Sequence, residues 1–201
     1  MRGARAAGGM AVGCLAGLMA GSASAATINF EGLPFGAPAP MNLGAAIATF
    51  TGTGGPSVAN LAFQTGRPAS WGNQALVSTT WTVSFSTPAF NEATIDFSYA
   101  FISSAQSGTA YYEAWSGAGA TGTLLASGSM AFSGYLNGGQ FGTLSIATGQ
   151  GFGSLRFYDV PAGGPAGMAW DNLTLTTVPL PTASVMAMGG LGLVAVRRRL
   201  G

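Results

Sequence analysis

The 201-residue chain has no histidine and no lysine, it contains one cysteine, and only 6% of its residues are charged. Without histidine it forms no Ser-His-Asp or Cys-His triad and no histidine metal site, and without lysine it forms no Schiff base. Cys14 lies in an N-terminal segment that we expect to be removed, so the mature chain is expected to hold no disulfide. Catalysis by a pair of carboxylates is the enzymatic mechanism left open.

Positive charge is scarce between the two ends of the chain. Five of the seven cations lie near the termini: Arg2, Arg5, Arg197, Arg198 and Arg199. The residues between them carry Arg67 and Arg156 against six acids, a balance of 2 − 6 = −4. Nucleic-acid binding needs clustered cations, and this distribution argues against it. The apolar share of 48% is too high for intrinsic disorder, so the chain is expected to fold.

The N-terminus has the three-part layout of a secretory signal peptide. Arg2 and Arg5 precede an apolar centre, and small residues follow at Ala23 and Ala25. We expect the Sec translocon to export the chain and signal peptidase to cut after Ala25. Residues 1–25 are therefore predicted to form a signal helix that is absent from the mature protein.

The C-terminus carries an apolar run of fifteen uncharged residues, 182–196, directly before Arg197, Arg198 and Arg199. A helix of this length spans about 22 Å, somewhat less than the hydrocarbon core of about 30 Å. Thinning of the bilayer can accommodate the difference, and the arginines are then expected to stay in the cytoplasm. The alternative is a buried C-terminal helix of a soluble domain.

The order of features in residues 178–201 resembles the PEP-CTERM class of protein-sorting tails, and more closely its VPLPA variant. The features are the motif Val178, Pro179, Leu180, Pro181 and Thr182, then a glycine- and leucine-rich apolar segment, then the arginines. Thr182 departs from the variant, which usually has alanine there. The resemblance implies a Gram-negative bacterium, often with exopolysaccharide production, and cleavage near the prolines by an exosortase-type membrane protease. A related tail is labelled an ice-binding protein C-terminal domain, which implies nothing about ice binding by this chain.

Residues 26–177 are dominated by period-two alternation, as in Trp81, Val83 and Phe85 between hydroxyl residues. Glycine- and proline-rich turns separate the short segments, and 32–46 reads as a long loop. The predicted strands are 27–31, 46–51, 57–63, 80–86, 95–101, 109–116, 122–132, 140–148, 152–158 and 168–177. Short antiparallel strands of this kind predict an all-β, two-sheet β-sandwich, most simply a jelly roll.

Two acids in the body are candidates for a metal site. Asp171 has the parity of Leu173 and Leu175, so a regular strand would turn its carboxylate toward the core, where it needs a partner. First and last strands are often neighbours in a jelly roll, which would bring Glu31 to Asp171. The pieces around these acids resemble carbohydrate-binding modules of jelly-roll type, and the resemblance implies a structural Ca²⁺. The alternative is that Asp171 accepts backbone hydrogen bonds. Asp159 can join this site, although the turn at Pro161 favours exposure.

Aromatic residues give the one indication of a ligand surface. Tyr111, Glu113 and Trp115 share a face of one predicted strand, and flat rings of this kind stack on sugars. The alternative is that this face belongs to the core.

Two classes of function are open. The favoured one is an exported, non-enzymatic protein of the cell envelope or the extracellular matrix, associated with exopolysaccharide or biofilm and having glycan affinity. It would pass through an intermediate anchored in the inner membrane and end at the cell surface or outside the cell. The other is a secreted glycan-processing hydrolase that uses a carboxylate pair drawn from Glu92, Asp96 and Glu113.

Overall fold

The computed structural model describes residues 24–52, 56–61, 69–99, 106–134, 141–161 and 168–177. These ranges contain a short 3-10 helix at Ala69–Trp71 and otherwise strands and loops. The strands are β1 (Ser24–Ile28), β2 (Met41–Asn42), β3 (Ile47–Gly52), β4 (Ser57–Asn60), β5 (Gln74–Ser78), β6 (Thr80–Phe85), β7 (Phe90–Tyr99), β8 (Gln106–Trp115), β9 (Leu124–Gly134), β10 (Gly142–Phe152), β11 (Ser154–Pro161) and β12 (Met168–Thr177). Within these ranges no helix has both the length and the hydropathy needed to cross a bilayer.

The strands form two antiparallel sheets of six strands each. Sheet I has the order β10-β7-β12-β5-β4, with β1 also paired to β12. Sheet II has the order β2-β3-β6-β11-β8-β9. The predicted all-β, two-sheet antiparallel sandwich is thereby confirmed. The predicted loop at 32–46 holds β2 and a single bridge between Gly36 and Val58.

Aromatic rings from both sheets form the centre of the core. Trp81 of sheet II lies 4.8 Å from Phe157 and 6.2 Å from Trp170 of sheet I, measured between ring centroids. Phe157 and Trp170 are 5.6 Å apart, and all three side chains are fully buried. Burial of large rings supplies most of the favourable free energy of folding in a domain without disulfides.

A second, smaller cluster covers the opposite side of sheet I. It consists of Leu61, Trp71, Ala75 and Ala169. Strand β5 is therefore buried on both faces, because Leu76 points into the main core while Ala75 belongs to this cluster. The sequence pattern did not predict β5 for this reason, since a strand buried on both faces has no polar side.

The first and last strands are neighbours, as predicted. β1 pairs antiparallel with the second half of β12, and Ser24 lies opposite Thr177. Ala25 belongs to β1, so cleavage after Ala25 would shorten this strand to Ala26–Ile28. The predicted signal helix of residues 1–25 is wrong at its last two residues, because Ser24 and Ala25 belong to β1. The other predicted processing features lie outside the described residues: residues 1–23 of the signal helix with Ala23, the motif 178–182, the transmembrane helix 182–196 and Arg197, Arg198 and Arg199.

Candidate functional site

The outer face of sheet II carries the predicted aromatic surface. Ala110 and Ala114 of β8 point into the core, so Tyr111, Glu113 and Trp115 point away from it and are partly exposed. The alternative that this face of β8 is core is wrong. Because alternate residues of a strand point to the same face of the sheet, these three side chains project from one face.

Strand β11 adds two residues to this surface that the sequence did not single out. Tyr158 lies opposite Tyr111, and Arg156 lies opposite Glu113, in the pairing of β11 with β8. We call Tyr111, Glu113, Trp115, Arg156 and Tyr158 the aromatic patch. Parity along β11 was a usable signal, because buried Leu155 and Phe157 imply that Arg156 and Tyr158 face outward.

The two tyrosines of the aromatic patch are stacked. The rings of Tyr111 and Tyr158 are almost parallel, with 5° between their planes and 4.9 Å between their centroids. The guanidinium carbon of Arg156 lies 5.3 Å from the centroid of the Tyr158 ring, a cation–π geometry. These contacts limit the rotamers of both tyrosines, so the surface is largely formed before any ligand arrives.

Glu113 connects the polar groups of the aromatic patch. Trp115 Nε1 donates to its Oε2 at 3.1 Å, and the Tyr158 hydroxyl donates to its Oε1 at 3.4 Å. Arg156 Nη1 lies 3.7 Å from Oε2, with 42% of the arginine side chain exposed. Partial burial raises the pKa of the Tyr158 phenol, and the negative charge of Glu113 is the second-largest cause. Tyr158 therefore stays a neutral hydrogen-bond donor at physiological pH.

Hydroxyl side chains border the aromatic patch on both sides. Ser129 of β9 lies opposite Tyr111, Ser127 lies opposite Glu113, and both serines are exposed. On the other side, Thr80 and Thr82 of β6 lie opposite Tyr158 and Arg156. Ring faces flanked by fixed donors and acceptors suit a ligand that has apolar faces and many hydroxyl groups.

Strand β12 contains a bulge that changes the expected position of Asp171. The register against β7 shifts between Asp171 and Thr174, and Asn172 adopts a left-handed φ of 51°. The prediction of a regular strand was wrong here, because the extra residue separates the parity of Asp171 from that of Leu173. Asp171 instead lies opposite Asp96 on the outer side of sheet I, although it is fully buried there.

Asp171 lies where β12 changes its partner from β5 to β1. Its Oδ1 accepts the backbone amide of Asn172 at 2.8 Å, and the amide of Phe30 also hydrogen-bonds this carboxyl. The backbone hydrogen bonds expected as the alternative to a metal are therefore present at Oδ1. Its Oδ2 is buried and has no partner within the described ranges. Burial, with smaller contributions from the charges of Glu31 and Asp96, raises the pKa of Asp171 to about 7.

The two neighbouring acids are held by hydrogen bonds. Glu31 Oε1 accepts the backbone amides of Asn73 and Gln74 at the start of β5. Asp96 accepts the Thr143 hydroxyl at 2.7 Å and the Asn172 side-chain amide at 3.2 Å. In the part of the chain that the structure describes, no three acidic side chains converge closely enough to hold a metal by themselves. A cation at Glu31 and Asp171 would therefore need backbone oxygens or water as further ligands.

Asp159 lies far from this cluster, on the core side of sheet II. It has the parity of Leu155 and Phe157 and is 9% exposed, so the expectation that the Pro161 turn exposes it was wrong. Both carboxylate oxygens are buried without a hydrogen-bond partner in the described structure. Burial raises the pKa of Asp159 to about 6.

The three carboxylates proposed for catalysis are not brought together. Glu92 and Asp96 lie on the outer side of sheet I, four residues apart along β7 and thus about 13 Å apart. Glu113 lies on the outer face of sheet II. Glycosidase carboxylates are about 5 to 9.5 Å apart. Asp96 does face Asp171, but Asp171 is fully buried and out of reach of a substrate.

No protein-family profile and no curated protein sequence matches this chain. Among solved structures, the CBM22-1 xylan-binding domain from Paenibacillus barcinonensis Xyn10C is similar at 14% identity, covering 77% of this chain and 94% of that one with a TM-score of 0.43. The cleaved adhesin domain of Lys-gingipain from Porphyromonas gingivalis is similar at 11% identity over 76% and 97%, with a TM-score of 0.42. The family 11 carbohydrate-binding module from Clostridium thermocellum reaches 12% identity over 78% and 98%, with a TM-score of 0.34. Overlaps of this kind assign neither a family nor a ligand to this chain.

Proposed function

We propose that this protein is an exported, non-enzymatic β-sandwich whose aromatic patch binds polysaccharide, as a component of a cell-surface or extracellular matrix. The observation that carries the proposal is the stacked pair Tyr111 and Tyr158 beside Glu113, Arg156 and Trp115 on the outer face of sheet II. The antiparallel pairing of two six-stranded sheets agrees with the proposed jelly roll.

The chemistry of the aromatic patch fits a sugar chain better than other ligands. A pyranose ring has an apolar face that stacks on an aromatic ring and an edge of hydroxyls that needs donors and acceptors. Arg156 is paired with Glu113, so the patch offers no free cation for a strongly acidic polymer. The polar groups are already held by one another, which lowers the conformational entropy lost on binding.

The direct test is retardation of the full-length protein in native gels that contain neutral or acidic polysaccharides. We expect retardation by a neutral polymer, and Trp115→Ala should weaken this apparent affinity about tenfold or more by removing one ring face. Phe35→Ala is the matched control, because Phe35 is an aromatic side chain 66% exposed outside the patch. Equal retardation of the Trp115→Ala and unmodified proteins would argue against the patch.

The alternative of a carboxylate-pair hydrolase has no observation in its favour. The separation of Glu92, Asp96 and Glu113 over two faces of the sandwich leaves no accessible pair of these acids at a catalytic distance. The non-enzymatic function is therefore the simpler proposal.

We also propose that Glu31 and Asp171 hold a structural Ca²⁺. The supporting observation is the buried Oδ2 of Asp171, which has no partner in the described structure, in a place where two further carboxylates raise its pKa. A hard cation with oxygen ligands would neutralise this concentration of negative charge. Bound there, the ion would join the end of β1 to the bulge of β12 and the start of β5.

Delivery to the cell surface is proposed to depend on the two ends of the chain. The sequence features are the signal peptide of residues 1–25 and the sorting tail of residues 178–201, with its motif at Val178–Thr182. The pairing of Ser24 with Thr177 supports this proposal, because both predicted processing junctions then adjoin one corner of sheet I. The body would be tethered to the membrane at this corner until an exosortase-type protease acts.

The mass of the mature exported protein tests both cleavages in one measurement. We expect a protein that begins at Ala26 and ends upstream of Arg197, because signal peptidase and the sorting protease remove the flanking segments. A mature mass that still includes Arg197, Arg198 and Arg199 would contradict processing of the tail. A chain truncated after Val178 is the control, and we expect it not to reach the same compartment. Its arrival there would show that the tail is not needed for delivery.

A further inference from the structure

The outer face of sheet I carries a row of hydroxyl side chains that has no role in the fold described above. Ser145, Thr94, Thr174 and Thr27 lie side by side on β10, β7, β12 and β1. Neighbouring strands are about 4.8 Å apart, so the row extends over about 14 Å. We call these four residues the hydroxyl row.

Three of the four residues of the hydroxyl row line a shallow groove of about 330 Å³, and Thr27 lies beside it. Thr94, Ser145 and Thr174 line it, together with Thr176 and Glu92. Thr27 and Thr174 share a hydrogen bond of 3.2 Å between their hydroxyls, whereas Thr94 and Ser145 are hydrogen-bonded to no side chain that the structure describes. Both of these are exposed, so their hydroxyls are open to a ligand.

The charge of the groove limits which ligand it suits. Glu92 is the one charged residue that lines it, and Arg156, the one cation in the described ranges, lies on the other sheet. An anionic polymer would be repelled. The lining has no large exposed apolar side chain, which argues against a lipid or a hydrophobic peptide. Hydroxyls both donate and accept, and a carboxylate accepts strongly, so a neutral polyhydroxylated chain is the complementary ligand.

We propose that this groove is a second binding site for neutral polysaccharide, on the face opposite the aromatic patch. The inference rests on the proposed function, since it assigns the same class of ligand to a second surface. The two sites point in opposite directions, because they lie on the outer faces of two sheets packed back to back. One protein molecule therefore bridges two polysaccharide chains. The protein would thereby cross-link the polysaccharide of a matrix.

The groove site is weaker than the patch site, because it contributes hydrogen bonds in competition with water and no aromatic ring. The contribution of the groove site to binding is largest with a polymer, because many protein molecules bind along each polysaccharide chain. The expected behaviour is one tighter and one weaker binding event per protein molecule.

The test uses calorimetric titration of the full-length protein with cellohexaose, xylohexaose and laminarihexaose, followed by light scattering with the parent polymer of the one that binds. The unmodified protein should bind two oligosaccharides and raise the scattering. Thr94→Val with Ser145→Ala should leave one site and abolish the increase, and Tyr111→Ala should leave only the weaker site. Thr123→Val removes an exposed hydroxyl in a loop and should change neither result.

Three outcomes overturn the inference in different ways. One bound oligosaccharide per protein, lost in Tyr111→Ala and unchanged in the groove variant, would remove the second site and leave the proposed function standing. No binding of any of the three oligosaccharides by the unmodified protein would contradict both proposals. Bridging that persists in the groove variant would also show that the groove is not the second site.

Discussion

Asp159→Asn is expected to raise the free energy of unfolding by about 1–2 kcal/mol at pH 7.5. Burial raises the pKa of Asp159 to about 6, from an ordinary value of 3.8. Since one pKa unit corresponds to about 1.4 kcal/mol, the ionised carboxylate costs the folded state about 3 kcal/mol. Asparagine removes the charge but keeps an unpartnered buried amide, which offsets about 1–2 kcal/mol of that gain.

The pH dependence of the stability gain in Asp159→Asn tests whether the charge of Asp159 causes that gain. The folded state holds the Asp159 proton more tightly than the unfolded state, so stability is lost as the pH rises from about 4 to about 6. Denaturant unfolding at pH 4 should thus show no advantage for Asp159→Asn, whereas unfolding at pH 7.5 should. Glu92→Gln removes an exposed carboxylate and should show no such change. An equal difference at both pH values would mean that the charge of Asp159 is not the cause.

Removal of Ca²⁺ by a chelator is expected to lower the thermal midpoint of the protein by about 5–10 °C. At 100 times its dissociation constant a ligand stabilises the folded state by about 2.7 kcal/mol, and one kcal/mol shifts the midpoint of a domain of this size by about 2–4 °C. The loss should be large because the chelator leaves the unpartnered Oδ2 of Asp171 buried near Glu31 and Asp96.

The difference in stability between Asp171→Asn and the unmodified protein should change sign when Ca²⁺ is removed. With Ca²⁺ present, the variant should be less stable than the unmodified protein, because it lacks a carboxylate ligand. With chelator present, it should be at least as stable, because it also lacks the buried charge that Glu31 and Asp96 repel. A midpoint that does not respond to the chelator in the unmodified protein would remove the calcium proposal.

The sequence predicted the features of this protein that depend on one strand at a time. Alternation placed Tyr111, Glu113 and Trp115 on one face of β8 but left open whether that face is exposed or core, and it identified the core face of β6 with Trp81 and Phe85. The pairing of the first strand with the last followed from a general property of jelly rolls. The predictions of strand faces needed only the period of two that a half-buried strand imposes.

Features that depend on pairing between strands were not predictable in the same way. Tyr158 joins Tyr111 through the register of β11 against β8, which no local pattern encodes. The bulge at Asn172 moved Asp171 to the opposite side of sheet I, and a single inserted residue leaves the apolar alternation of β12 almost intact. Strand β5 was not predicted because two apolar clusters bury its two faces and it therefore lacks polar alternation. Three of the five residues of the aromatic patch were thus predictable. The proximity of Glu31 to Asp171 was also predictable, whereas the position of Asp96 opposite Asp171 was not.

The aromatic patch is tested most directly by calorimetric titration of a neutral oligosaccharide into the unmodified protein, Tyr111→Phe and Tyr111→Ala. Phenylalanine keeps the ring that stacks on Tyr158 and on the sugar, while alanine removes it. The proposed role of the aromatic patch predicts nearly unchanged affinity for Tyr111→Phe and about tenfold or greater loss for Tyr111→Ala. Equal affinity of all three proteins for the oligosaccharide would contradict it.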